Sequence, residues 1–266
     1  MDLVRVEIAD GVATVTLDSP DNRNALSSAL IDALIGAVES AGTDDRVRVV
    51  VLTHTGTVFC SGADLRETAA AFASGDVPAA RMGLALAALW DSPKPVVARV
   101  GGAARAGGLG LIAAADIAVC AADATFAFTE VRLGVIPAVI SATVLPRLAP
   151  RAANELFLTG ETFDGPRAAE IGLVTAAVPA ADLDATVARY VAALTRGAPA
   201  ALAAAKSLLR RGAARPLREE LVELTELSVR FFTADEAREG VQAYFEKRDP
   251  AWVQAAGSGP GVAPSS

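Results

Sequence analysis

Val96-Val-Ala-Arg-Val-Gly-Gly-Ala-Ala-Arg-Ala-Gly-Gly-Leu-Gly110 starts as an apolar, β-branched run, passes through paired glycines and leads into the helix-like stretch Leu111 to Ala115. A continuous apolar run of this length reads as a strand buried on both faces. Glycine then supplies the turn, and the first N–H groups of the following helix have no partner inside it. The same order occurs upstream, where the apolar strand Val47 to Thr53 is followed by Thr57-Val-Phe-Cys-Ser-Gly-Ala-Asp-Leu-Arg-Glu67. Two such turns side by side would aim two N–H groups at one point from the positive ends of two helices, as an oxyanion hole requires.

Outward from these turns, residues 3–8 and 11–17 alternate apolar and polar around Asp10-Gly11, a hairpin pattern. Ser27 can cap a helix whose apolar positions Leu30, Leu34, Val38 and Ala41 recur at helical spacing. Ile117 to Cys120 reads as a further short strand, and no repeat of fixed period is visible. Strand and helix alternate to about Val178, which predicts an α/β fold. Residues 182–195, 199–211, 217–232 and about 234–247 then carry helical periodicity. Leu217, Leu221, Leu224, Ser228 and Phe231 form one apolar face that must pack on the core or on a neighbouring subunit. The expected organisation is an α/β core over 1–180, a helical oligomerisation region over 181–253 and a disordered Gly/Pro/Ser-rich tail over 254–266.

Hydrophobic residues make up 52% of the 266, ample for a core. A net charge of −7 argues against nucleic acid as a partner, and an anionic ligand would need a local basic patch. The N-terminus has no basic region followed by an apolar stretch, and no apolar run approaches the ~20 residues that span a bilayer. A cytoplasmic protein without membrane contact is expected. Two cysteines, Cys60 and Cys120, are fewer than a disulfide scaffold of this length would carry, and Cys120 reads as a small buried hydrophobe. His54 is the one histidine, so no metal site is expected; without a Gly-x-Ser-x-Gly elbow it reads as a loop residue. Gly108-x-Gly110-x-x-Ala113, with Glu130 downstream, matches a dinucleotide fingerprint, but Gly101 to Gly107 separate it from its strand.

A third segment, Phe126-Ala-Phe-Thr-Glu-Val-Arg-Leu-Gly-Val-Ile-Pro137, places Glu130 among apolar residues. Burial there would raise its pKa and let it exchange protons near neutrality; the alternative is a salt-bridge member or helix-cap partner.

These segments, with Pro20-Asp-Asn-Arg-Asn-Ala-Leu26, Leu158-Thr-Gly-Glu161, Ala168-Ala-Glu-Ile-Gly-Leu-Val174 and Glu239-Gly-Val-Gln-Ala-Tyr-Phe-Glu-Lys-Arg248, resemble the crotonase superfamily, the enoyl-CoA hydratase/isomerase family, from Leu3 to about Trp252. The resemblance implies an α/β spiral of ββα units with a helical C-terminal region, assembled as trimers or dimers of trimers. It implies acyl-CoA thioester substrates and no separate cofactor, because coenzyme A is part of the substrate. By position, the N–H groups of Ala63 and Gly107 would hold the thioester oxygen and Glu130 would serve as acid/base. The implied coenzyme A path runs along Arg23, Ala25, Ser61, Ala63, Asp64, Leu65, Arg66, Gly107 and Gly110, with Arg66 or Arg23 near the phosphates. Residues 68–90, with Met82, Leu86 and Trp90, would wall the acyl pocket.

The family's hydratases carry a second glutamate at the position that is Gly110 here. Glu130 alone leaves three outcomes: a hydratase-like lyase, a Δ3/Δ2-enoyl-CoA isomerase, or an acyl-CoA-binding subunit without turnover. Thr129 to Ser141, lacking the Gly-Gly run after Pro137, is similar to methylglutaconyl-CoA-type hydratases. Arg132 would then meet a second substrate carboxylate, or else serve as a structural ion-pair member. Asp116 matches a position that is structural in the family.

Overall fold

A computed structural model describes residues 2–64, 66–67, 79–210, 217–232 and 234–255. Strands β1 (Val4–Ala9) and β2 (Val12–Leu17) form the expected hairpin, with Ala9 opposite Val12 and Asp10 and Gly11 at φ 50° and 78°. That is the conformation a two-residue turn needs and Asp-Gly accepts. Helix α1 (Ser28–Thr43) starts where Ser27 accepts the Leu30 N–H, and buries Leu30, Leu34, Val38 and Ala41.

Two sheets share the remaining strands. Strands β3 (Val49–His54), β5 (Val96–Val100), β7 (Ile117–Ala121) and β10 (Ala176–Val178) extend the hairpin into a six-stranded sheet of order β1-β2-β3-β5-β7-β10, parallel from β2 onward. Every residue of β3 is buried, as its unbroken apolar run requires. Strands β4 (Val58–Cys60), β6 (Ala103–Arg105), β8 (Thr125–Ala127) and β9 (Phe163–Asp164) form a second sheet in that order. The chain therefore lays one strand in the first sheet and the next in the second, and does so at β3/β4, β5/β6 and β7/β8. Helices α2 (Ala79–Asp91), α3 (Gly107–Ala114) and α4 (Ala138–Val144) lie after these pairs.

This is a repeat that the sequence hides. Val50 pairs with Val96 but Val97 already pairs with Ile117, so the second unit is less than half as long as the first. A fixed period cannot register units of unequal length.

Helices α5 (Pro150–Thr159) and α6 (Gly165–Glu170) flank β9, and after β10 the described chain is helical: α7 (Leu183–Thr195), α8 (Pro199–Leu209), α9 (Leu217–Phe232), α10 (Asp235–Glu246) and α11 (Ala251–Ala255). Arg48 fastens this region to the core. It is 9% exposed and donates to the carbonyls of Trp252 at 2.7 Å and Gly197 at 2.6 Å. Asp116 does the same for α8, accepting the Val96 N–H at 2.8 Å and pairing with Lys206 at 2.8 Å and Arg210 at 2.5 Å. Leu221 and Val229 on α9, and Val241, Tyr244 and Phe245 on α10, remain exposed in the single chain. Residues 256–266, the bulk of the expected disordered tail, lie outside the described residues. No helix among the described residues is long and apolar enough to cross a membrane.

His54 is a correction to the sequence expectation. It is not a loop residue: it ends β3 opposite Leu17, is buried, and its Nε2 accepts the Gly101 N–H at 3.0 Å. Burial lowers its pKa, helped by the nearby Arg99 cation, so the ring is the neutral acceptor that Gly101 needs. The Thr-His-Thr-Gly run suggested a turn, but pairing with β2 carries the strand one residue further.

Candidate active site

Parallel register in the second sheet places the site. Cys60 pairs with Ala104, and Ala104 with Phe126. Three residues beyond the first two strands' members stand Ala63 and Gly107, and four beyond Phe126 stands Glu130. The carboxyl ends of three neighbouring strands thus deliver both N–H turns and the acid to one edge, where open α/β sheets commonly bind ligands.

The first turn is zipped to the Asn24-Ala25-Leu26 segment. Ser61 N–H donates to Arg23 O at 3.1 Å, Leu26 N–H to Gly62 O at 2.8 Å and Asp64 N–H to Leu26 O at 3.3 Å. Leu26 and Ala63 form a parallel bridge whose bonds run through the residues flanking Ala63, so the Ala63 N–H faces away from it. Asn24 is fully buried and holds the segment from within. Its Oδ1 accepts the Ser19 N–H at 2.8 Å, and its Nδ2 donates to Val58 O at 2.8 Å and Thr55 O at 3.1 Å. Asp64 Oδ1 accepts the N–H groups of Arg66 at 2.8 Å and Glu67 at 3.3 Å, and Glu67 Oε2 reaches back to the Ser28 N–H at 2.8 Å.

The second turn reverses at Ala106, whose φ of 47° and ψ of −115° is a conformation L residues rarely take, and α3 begins at Gly107. The Gly107 N–H is the first of the helix and has no partner within it. A Cβ at position 107 would stand 2.6 Å from Leu26 Cδ1, and one at 108 would stand 2.8 Å from Cys60 Cβ. Leu26 thereby touches both turns: its backbone bridges Ala63 and its side chain packs against Gly107.

Glu130 opens a 3-10 turn, Glu130–Leu133, closed by Gly134 at φ 74°. Phe128 anchors the turn from below, fully buried with its ring 4.5 Å from that of Phe157. Glu130 Oε2 is buried and has no hydrogen-bond partner among the described residues. Burial raises the carboxyl's pKa, and a backbone hydrogen bond offsets this only in part. A desolvated carboxyl with a free oxygen is poised to take up a proton and release it.

A cleft of about 490 Å³ opens beside the first turn, lined by Ser19, Asp21, Asn22, Arg23, Ala25, Ser61, Ala63, Asp64 and Arg66. Arg23, Ala25, Ser61, Ala63, Asp64 and Arg66 are thus brought together on one cleft. Asp21 and Asn22, which the sequence did not single out, join them because the Asn24 turn folds onto Ser61. Leu65 lies outside the described residues. Gly107 and Gly110 do not line this cleft, and Gly110 is buried inside α3 against Ile140 and Leu86. Of the segment expected to wall an acyl pocket, 68–78 lie outside the described residues; Met82 and Leu86 are buried on α2, with Met82 beside Gly107. Arg132 is exposed and donates to Thr159 O at 3.3 Å. Among the described residues no group of His, Cys, Asp and Glu could hold a metal ion.

The family model for enoyl-CoA hydratase/isomerase matches residues 7–255. A Rhodobacter capsulatus protein named "Probable enoyl-CoA hydratase" is 36% identical over 93% of this chain and 96% of its own. A carnitinyl-CoA dehydratase of Salmonella heidelberg is 34% identical over 91% of this chain and 94% of its own. Among solved structures, Pseudomonas aeruginosa AtuE superposes with a TM-score of 0.90 at 33% identity, over 95% of this chain and all of its own. Two interleaved, mostly parallel sheets, with two strand–turn–helix connections at one edge, define an α/β enzyme of the crotonase fold. The chain belongs to the enoyl-CoA hydratase/isomerase family.

Proposed function

We propose that the protein is a hydratase-like lyase that adds water to a 2-enoyl-CoA thioester with Glu130 as its acid/base. The observation that carries this reading is the buried, unpartnered Glu130 Oε2 at the strand edge that also presents the Ala63 and Gly107 N–H groups. In the forward step the Glu130 carboxylate takes a proton from water and the water oxygen bonds C3. The electrons pass to the thioester oxygen, where the two N–H groups hold the enolate. The protonated Glu130 then returns that proton to C2. Each N–H donor is worth about 3 kcal/mol to such a charge. Coenzyme A would follow the cleft past Arg23 and Arg66, whose cations suit its phosphates.

Gly110 favours a second reading, the Δ3/Δ2-enoyl-CoA isomerase. One carboxylate suffices to move a proton from C2 to C4, and no water is needed. Crotonyl-CoA tests the choice: loss of its conjugated thioester absorbance supports hydration. A 3-enoyl-CoA that gains this absorbance while crotonyl-CoA stays unchanged supports the isomerase. If Glu130→Ala matches wild type on both substrates, Glu130 is not the acid/base.

The exposed apolar residues of α9 and α10 support assembly as a homo-trimer or dimer of trimers, since such a surface is rarely left to water. Sedimentation equilibrium at one-chain mass would exclude it.

A further inference from the structure

Gly110 sits in the middle of α3, and the space in front of it is filled. A Cβ built at position 110 would stand 2.6 Å from Ile140 Cγ2, 3.0 Å from Ile140 Cβ and 3.3 Å from Leu86 Cδ2. Ile140 is 3% exposed and Leu86 4%, so the contact is dry and closed. Ile140 is also held in place. Thr143 Oγ1 lies 3.1 Å from Gly110 O and 3.2 Å from Ile140 O, and ties α4 onto α3 at that level. A side chain at 110 therefore cannot be accommodated by a small rotation of Ile140; the helix contact itself would have to open.

We infer that Ile140 is a specificity-determining residue: its side chain occupies the room a second carboxyl at position 110 would need, and leaves proton transfer in this site to Glu130 alone. The inference rests on Glu130 being the acid/base. Ile140 touches no reacting atom, and it acts by what it excludes. Water bound for addition has one carboxylate to hold and deprotonate it where two could share the work. The same exclusion leaves a double-bond shift unaffected, because that reaction asks for one base.

The test compares Gly110→Glu, Ile140→Ala and the double variant, each assayed for crotonyl-CoA hydration, its pH profile and coenzyme A binding. Gly110→Glu alone is expected to gain nothing and to melt lower. The double variant is expected to hydrate at least about 10-fold faster than Ile140→Ala, since a second acid–base partner is worth ~10²–10⁴-fold. It should also show a second ionisation in its rate profile, which a merely structural change would not add. A gain in Gly110→Glu alone, or a folded double variant that binds coenzyme A and gains nothing, overturns the inference. Should the double variant not fold, Gly110→Ala decides: its loss of melting temperature must be smaller in the Ile140→Ala background than in wild type, and an equal loss overturns the inference. Failure of the underlying reading is seen separately, as wild-type turnover that survives Glu130→Gln.

Discussion

A methyl group on Gly62 would stand 3.1 Å from the Cβ of Ala106. The two residues that precede the proposed N–H donors therefore lie so close that a side chain at 62 would push the turns apart. Gly62 also has φ 94°, which only glycine takes without strain. Gly62→Ala should lose about 1–3 kcal/mol in urea denaturation. Its kcat on an enoyl-CoA should fall by ~10²-fold as the Ala63 donor shifts. Wild-type turnover in a folded Gly62→Ala would show that this contact does not set the donors. Ala106→Gly, by contrast, relieves a strained φ of 47° and should gain about 1 kcal/mol.

The pH dependence follows from Glu130. Burial raises its carboxyl above the ordinary value of 4.5, so the folded chain keeps this proton at pH values where the unfolded chain has lost it. The stability that results is complete below 4.5 and disappears as pH rises through the folded-state pKa. Glu130→Gln removes this dependence, and at pH 7 it should be more stable than wild type. Thermal melts should show that advantage shrinking as pH is lowered. Activity runs in the opposite sense: the base form is lost on acidification, with a midpoint above 4.5. A kcat/KM profile with its acid limb at or below that value would contradict the desolvated environment.

Asn24→Ala strips the Ser19 N–H and the carbonyls of Thr55 and Val58 of a partner in a fully buried turn. The expected cost is about 2–4 kcal/mol by chemical denaturation. Because this turn holds Ser61 and Ala63, KM for the acyl-CoA should rise as well. A stability loss with an unchanged KM would separate the turn from the cleft.

Arg48→Met removes the donors to Trp252 O and Gly197 O while keeping much of the side chain's bulk. The helices after Val178 should then be cut by protease ahead of the core. Equal protection of both parts, followed by mass spectrometry of the fragments, would show that other contacts suffice to hold them.

Much of the fold was legible because its elements obey local rules. Ser27 and the stripe Leu30, Leu34, Val38 and Ala41 announced α1, and unbroken apolar runs announced β3, β5 and β7. Ala103–Arg105 and Thr125–Ala127 escaped because strands of three residues, rich in alanine, carry no usable period. Helix α3 was placed at Leu111 but starts at Gly107, since its glycines serve close packing on Cys60 and Ile140 and not helix propensity. The two strand–turn–helix segments and Glu130 were readable along the chain in that order. Leu26 against Gly107, and Ile140 against Gly110, were not, because each contact joins residues distant in sequence.

The two donors proposed for this site are main-chain atoms placed by the paired strands that lead into their turns. Apart from proline, which carries no N–H, no side-chain replacement at Ala63 or Gly107 deletes them, although a poor choice at Gly62 can displace them. On the proposed reading, the hold on a thioester rests on main-chain atoms and the choice of reaction on side chains, even where both lie on one helix, as Gly107 and position 110 do. On that reading, a coupled change at 110 and 140, or a change at 130, would alter the chemistry while the main-chain donors stay where the turns put them.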